Sequence, residues 1–138
     1  MAKTYQEIMT EARQVVPEVS TDDVRGQLPK QPLLLDVREK EEFRQGYIPG
    51  ALSLPRGFLE MQIEDKVADK STPIIAYCAG GTRSLLAGRV LRELGYTNVV
   101  SMRGGFQAWK NQGNPIEEPA QFTAEQQIRY SRHFLLPE

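Results

Sequence analysis

The chain carries a single thiol, and the residues around it are spaced for chemistry. Cys78 closes the apolar run Ile74-Ile75-Ala76-Tyr77 and opens the stretch Cys78-Ala79-Gly80-Gly81-Thr82-Arg83-Ser84. Gly80 and Gly81 remove side chains where the backbone must curl around something small, and they permit positive φ. A cysteine that merely packs as a small hydrophobe requires no such turn. Leu85-Leu86-Ala87-Gly88-Arg89-Val90-Leu91 follows and reads as an amphipathic helix. Cys78 is therefore expected at the carboxyl end of a buried strand, just before a helix N-terminus. Unpaired backbone N–H groups and the positive end of the helix dipole favour a thiolate there. The chemistry this supports is nucleophilic attack with a covalent intermediate on sulfur. A lone cysteine leaves no internal disulfide and no resolving thiol, so whatever Cys78 picks up leaves to an outside acceptor.

Other chemistries find little material. His133 is the only histidine, and one cysteine with one distant histidine does not make a zinc site or a Ser/His/Asp triad. No metal or organic cofactor is expected. The 138 residues suit one domain with a proper core, and a net charge of -1 implies no nucleic-acid partner. No apolar run approaches a membrane span, and the first residues lack the apolar core of a signal peptide. With a single cysteine, the expected setting is reducing and cytoplasmic.

The elements that must hold the thiol follow from periodicity. Residues 4–15 have helical spacing, with Ile8, Ala12 and Val15 on one face. Val16-Pro17-Glu18-Val19 is a short extended piece, and Ser20 or Thr21 can cap a helix over residues 22–28, with Asp22 and Asp23 in its first turn. Leu33-Leu34-Leu35-Asp36-Val37-Arg38 is a continuous apolar strand with both faces covered. It leads to a short charged helix, Glu39-Lys40-Glu41-Glu42-Phe43, closed by Gly46. Asp36 and Arg38 stand at the carboxyl end of this strand, on the same rim as Cys78, and are candidate substrate contacts. Ala51 to Leu54 is another short strand, residues 64–73 read as a plain linker, and 74–77 is the core strand. A helix over 84–94 ends at Gly95, and residues 98–102 give a last strand. Strands alternating with helices over this length predict an α/β fold, a parallel doubly wound sheet flanked by helices. Ligands in such sheets bind at the carboxyl ends of the strands.

Cys78-Ala79-Gly80-Gly81-Thr82-Arg83 resembles the six-residue active-site loop of the rhodanese (sulfurtransferase) domains, Cys-x-x-Gly-x-Arg. The stretch Leu35-Asp36-Val37-Arg38 with Gly46-Tyr47-Ile48-Pro49-Gly50-Ala51-Leu52-Ser53-Leu54-Pro55 resembles a second signature of that family, with Tyr47 where the family usually has histidine. Gly104-Gly105-Phe106-Gln107-Ala108-Trp109 is similar to its closing motif, with Trp109 read as core packing. The resemblance spans about residues 17–111 and implies a rhodanese-like fold over residues 1–112. It implies sulfur transfer from a small donor such as thiosulfate through a Cys78 persulfide, with Ala79, Gly80, Gly81, Thr82 and Arg83 as the anion-binding loop. The backbone N–H groups of residues 79–83 are expected to point into the cup. Pro55-Arg56-Gly57-Phe58 recurs in small members of the family, which makes Arg56 an anion or acceptor contact on an overhanging loop. Related phosphatases place five residues between Cys and Arg. Here four lie between Cys78 and Arg83, a smaller cup suited to the outer sulfur of a persulfide rather than to phosphate. Inactive versions typically lack the cysteine, which argues against a purely non-catalytic binding domain.

Residues 113–121 read as a Pro- and Glu-containing linker. Phe122 onward predicts a helix with a Thr123–Gln126 capping box. Glu125 to Pro137 is similar to the opening of the adenylating enzymes that activate ubiquitin-like sulfur-carrier proteins, with Arg132 at the matching position. That resemblance implies a sulfur-relay module as the alternative function, acting in a pathway such as molybdopterin biosynthesis. Its partners would be a cysteine desulfurase as donor or a ubiquitin-like sulfur-carrier protein as acceptor.

Overall fold

The computed structural model describes residues 2–118; the expected tail helix over 122–138, with Thr123, Gln126, Arg132 and His133, lies outside the described residues, as do residues 119–121. Five short strands form one sheet: β1 (Glu18–Val19), β2 (Leu33–Asp36), β3 (Leu52–Ser53), β4 (Ile74–Tyr77) and β5 (Val99–Met102). Their order is β1-β5-β4-β2-β3 and every pairing is parallel, so the predicted doubly wound sheet is present with β4 at its centre.

The apolar runs of β2 and β4 are continuous because both faces of the sheet are covered. Side chains alternate between two cores. Leu35, Val37, Ile74 and Cys78 join one, with residues from the helices α4 (Leu59–Lys66) and α5 (Thr82–Glu93). Leu34, Ile75 and Tyr77 join the other, with Val24 of α2 (Thr21–Gln27) and Phe106 and Trp109 of α6 (Gly105–Asn111). Trp109 is fully buried, and its indole N–H donates to the Pro115 carbonyl at 2.7 Å.

Local signals start the helices where expected. Ser20 caps α2 in a reciprocal pair with Asp23, and Thr4 does the same with Glu7 for α1 (Tyr5–Val15). The buried stripe of α1 is Met9 and Ala12, followed by Val16, while Val15 is 45% exposed; the predicted face was turned by one residue. α1 packs closely on α5 at Gly88, where a Cβ would lie 2.8 and 2.9 Å from the Val16 methyl carbons. At the start of α3 (Lys40–Gln45) the Glu42 carboxylate reaches back to accept from the Glu39 backbone N–H at 3.0 Å.

Several boundaries differ from the sequence expectation: α5 begins at Thr82 rather than at 84, so Thr82 and Arg83 of the expected loop lie in its first turn. The stretch read as a linker begins inside α4. Its apolar stripe, Leu59, Ile63 and Val67, repeats every fourth residue, but single apolar residues between polar ones leave it faint. β2 ends at Asp36 rather than at Arg38, because the Asp36 carboxylate turns back to accept from the Arg38 backbone N–H at 3.0 Å. Beyond α6 the chain stays on the domain: Tyr47 and Glu117 exchange backbone hydrogen bonds, and the Tyr47 hydroxyl donates to the Glu117 carboxylate at 2.9 Å. None of the described helices is long and apolar enough to cross a membrane.

Candidate active site

Cys78 follows the last residue of β4 directly and is 1% exposed. The chain then turns through Ala79 and Gly80 to Gly81, whose φ of +103° places it in the left-handed region as the N-cap of α5. This conformation is ordinary for glycine and strained for any other residue. It aims the Gly81 N–H at the Cys78 Sγ at 3.1 Å, and the Ser84 N–H, one turn into α5, at 3.4 Å. The thiol in turn lies 3.5 Å from the Ser84 Oγ, which it can reach as donor. Of the amides expected to face the sulfur, those of residues 79–83, Gly81 makes a hydrogen bond to it and those of Ala79, Gly80, Thr82 and Arg83 do not; the second amide on the sulfur is that of Ser84, outside the expected set.

Ser84 was not singled out from the sequence. It is fully buried, donates to the Gly81 carbonyl at 3.2 Å, and shares a 2.8 Å hydrogen bond with the buried Ser101 Oγ of β5. With Ser101 supplying the hydrogen of that bond, the single Ser84 hydroxyl hydrogen can turn from the Gly81 carbonyl to the sulfur once the thiol has lost its proton. The available signal was helical position: the third residue of a helix places its N–H and hydroxyl at the N-terminal rim.

The loop is braced from below by α6. The Phe106 N–H donates to the Cys78 carbonyl at 2.7 Å, and the Gln107 N–H to the Ala79 carbonyl at 3.0 Å. These two bonds hold the start of the loop, Cys78 and Ala79, against the N-terminal turn of α6. The approach is possible because Gly105 has no side chain: a Cβ there would lie 2.5 Å from both carbonyl oxygens. The paired glycines before Trp109 thus set the height of the loop above the sheet.

Among the described residues, the three candidate arginines Arg38, Arg56 and Arg83 are each engaged by a carboxylate. Arg83 donates through both terminal nitrogens to Glu42 of α3, at 2.8 and 3.1 Å. The hydrogen bond and charge of Glu42 raise the guanidinium's pKa, and Arg83 holds the Glu42 carboxyl below its ordinary value. Arg56 donates to Glu60, one turn further on, at 2.8 Å, while its backbone N–H caps the Val37 carbonyl at the end of β2.

Asp36 and Arg38 form a buried pair instead of a substrate contact. Arg38 donates through Nε and Nη2 to Asp36 at 2.7 to 3.1 Å and through Nη2 to the Gly46 carbonyl at 2.7 Å. Arg38 is 4% exposed and Asp36 is fully buried. The pleat explains the difference. Asp36 is in register with Tyr77, whose side chain belongs to the α6 face, while the next residue, Cys78, belongs to the α5 face. The Arg38 guanidinium lies 4.2 Å from the Phe106 ring centroid and 5.8 Å from that of Tyr77, behind the sheet from the sulfur. Burial, then the Asp36 charge, raises the Tyr77 phenol well above its usual range.

A cavity of about 910 Å³ lies at the amino ends of the strands, lined by residues including Leu33, Pro49, Thr72 and Pro73, at the opposite end of β4 from Cys78. A smaller cleft of about 320 Å³ adjoins the cysteine loop at Ala79, between Glu42 and Lys110, and the Arg38 side chain forms part of its wall. Among the described residues no group of His, Cys, Asp and Glu could hold a metal ion.

Residues 20–112, more than half of the chain, match the rhodanese-like domain family. The protein belongs to that family. A sulfurtransferase of Allochromatium vinosum is 38% identical over 87 residues, 63% of this chain and 79% of that protein. An adenylyltransferase and sulfurtransferase of Ogataea parapolymorpha is 32% identical over 97 residues, 70% of this chain and 24% of that protein. Among solved structures, a Rhodopseudomonas palustris protein of unknown function, described as a possible tyrosine phosphatase, superposes with a TM-score of 0.77 at 30% identity, covering 85% of this chain and 96% of that one. The sulfurtransferase relatives support sulfur transfer as the general class of chemistry.

Proposed function

We propose that the protein carries sulfane sulfur as a persulfide on Cys78, taking it from a donor such as thiosulfate and passing it to a thiophilic acceptor. The observation that carries this reading is the convergence on the Cys78 sulfur of the Gly81 amide, within the four residues before Arg83, and the Ser84 amide, just after it. In the first step the thiolate attacks the outer sulfur of thiosulfate, the donor's S–S bond breaks with its electron pair, and sulfite leaves. The total charge of −3 is the same on both sides. In the second, cyanide or a thiolate attacks the terminal sulfur and Cys78 returns as thiolate. The two amides and the Ser84 hydroxyl hold negative charge on sulfur throughout. A preorganised donor of this kind contributes about 3 kcal/mol where charge develops. The cycle is ping-pong, and metal or organic cofactors have no step in it.

Intact-protein mass spectrometry after incubation with thiosulfate or with a persulfide donor tests the reading. One added sulfur mass, absent in Cys78→Ser and removed by cyanide, is expected. A folded wild-type protein that gains no sulfur from either donor overturns it.

A second reading makes a partner protein the acceptor. It is favoured by the match to about a quarter of the fungal adenylyltransferase and sulfurtransferase. Loss of the added sulfur from Cys78 on mixing with a ubiquitin-like sulfur carrier, but not with unrelated protein thiols, is the result that would select it.

A further inference from the structure

The cation that the cysteine loop itself supplies is not free. Glu42 occupies the guanidinium fork of Arg83 from both terminal nitrogens, and both side chains are about one third exposed, at 37% and 36%. Arg56, on the loop that follows β3, is likewise paired with Glu60. A bidentate pair of this geometry is directional, and the pair itself offers no net charge to an arriving anion. Arg103 and Lys110 are exposed and lie outside any ion pair among the described residues, but neither belongs to the loop.

Charge decides how donors fare at such a rim. Thiosulfate is a dianion, so its approach to a thiolate meets twice the repulsion felt by a monoanionic persulfide on a neutral thiol. An unpaired Arg83 would offset that repulsion, and the paired one does not. We propose that Glu42 is a specificity-determining residue: by neutralising Arg83 it selects donors that bring sulfane sulfur as a monoanionic persulfide over the small dianion thiosulfate. This rests on the persulfide cycle proposed above. With R–S–S⁻ as donor, the Cys78 thiolate attacks the terminal sulfur, a new S–S bond forms on Cys78, and the donor's S–S bond breaks to release R–S⁻. Two negative charges enter and two leave.

The test substitution keeps the fold. Glu42→Gln retains an acceptor for the Glu39 backbone N–H, which Glu42 now binds at 3.0 Å, and glutamine is an accepted residue at that capping position. It also retains one acceptor for Arg83 while removing the charge. The readout is kcat/KM for persulfide formation on Cys78, with thiosulfate and with the persulfide of 2-mercaptoethanol generated in situ. Removing one nearby negative charge at low ionic strength is expected to raise the thiosulfate value about sixfold and the persulfide value about twofold, so that their ratio rises about two- to threefold. The gain should shrink toward unity as salt is added. Glu93→Gln, a charge change at the far end of α5, controls for net charge and should leave the ratio where it is.

If Cys78 gains sulfur from both donors and the ratio in Glu42→Gln is unmoved, or moves without any dependence on salt, the assignment to Glu42 is wrong while the persulfide cycle stands. If Cys78 gains sulfur from neither donor, the cycle itself has failed and the assignment falls with it.

Discussion

The Cβ that Gly105 lacks would lie 2.5 Å from the carbonyl oxygen of Cys78. It would stand equally close to the Ala79 oxygen, at a φ of +62° that side chains rarely adopt. Gly105→Ala therefore lifts the loop from α6 and strains the backbone, at a cost of about 1–3 kcal/mol from φ alone. Denaturant unfolding should show that loss, and the rate of persulfide formation should fall about tenfold or more. Gly80→Ala, where a Cβ meets nothing within 4 Å, serves as the contrast and should cost little of either. Equal stability in the two variants would refute the brace.

Ser84 and Ser101 separate chemistry from stability. Ser84→Ala removes the hydroxyl nearest the sulfur and leaves the buried Ser101 Oγ without its 2.8 Å partner. The expected losses are about 1–3 kcal/mol of stability and, for a hydrogen bond to a charged sulfur, about ten- to a hundredfold in the attack step. The double variant Ser84→Ala/Ser101→Ala has no orphaned hydroxyl. It should recover stability but not rate, and recovery of both would reduce Ser84 to a packing residue.

Arg38 should behave as a structural residue despite its place beside the strand end. Arg38→Met leaves the fully buried Asp36 charge without its partner, which costs about 3–5 kcal/mol. In the fraction that remains folded, KM for the sulfur donor should not move, because the guanidinium is buried and already held by Asp36 and the Gly46 carbonyl. A raised KM with unchanged stability would return Arg38 to the substrate.

Glu42 gives the pair with Arg83 a pH signature. Its pKa in the folded state lies below the ordinary 4.5, chiefly through the Arg83 hydrogen bond. A depressed carboxyl contributes stability that is present above the unfolded value and lost as pH falls through the folded one. The stability difference between wild type and Glu42→Gln should therefore be level at neutral pH and narrow only below about 4.5. A difference that narrows between neutral pH and that value would contradict the pairing.

Much of this architecture was legible because it rests on local rules. The β4 run, the glycines after Cys78 and the helix behind them specify a nucleophile at a strand end without knowledge of any distant contact. What escaped has physical reasons. Helix α4 shows two buried residues, Leu59 and Ile63, with Val67 at its C-cap, amid exposed Met61 and several charges, which is a thin signal for a helix. Asp36 and Arg38 were grouped with Cys78 by the end of the sheet they occupy. Counting pleat parity along β2 and β4 would have put them on the other face. The Glu42–Arg83 pair joins residues 41 positions apart, and the bonds from α6 to the loop join elements separated by all of α5 and β5. Such contacts exist only once the sheet has brought the segments together, so no local pattern announces them.

The central position of β4 has a dynamic consequence. Its four residues are buried, with β2 on one side and β5 on the other, so their amides should exchange with solvent only when the whole domain opens. Two residues past Cys78, Gly80 is exposed, and so is Thr82. The nucleophile is thus anchored at the point where the slowest-exchanging segment meets a loop open to water. Hydrogen exchange should reveal the site as a step in protection falling between Tyr77 and Gly80, with the sulfur fixed on the still side and the incoming donor met on the moving one.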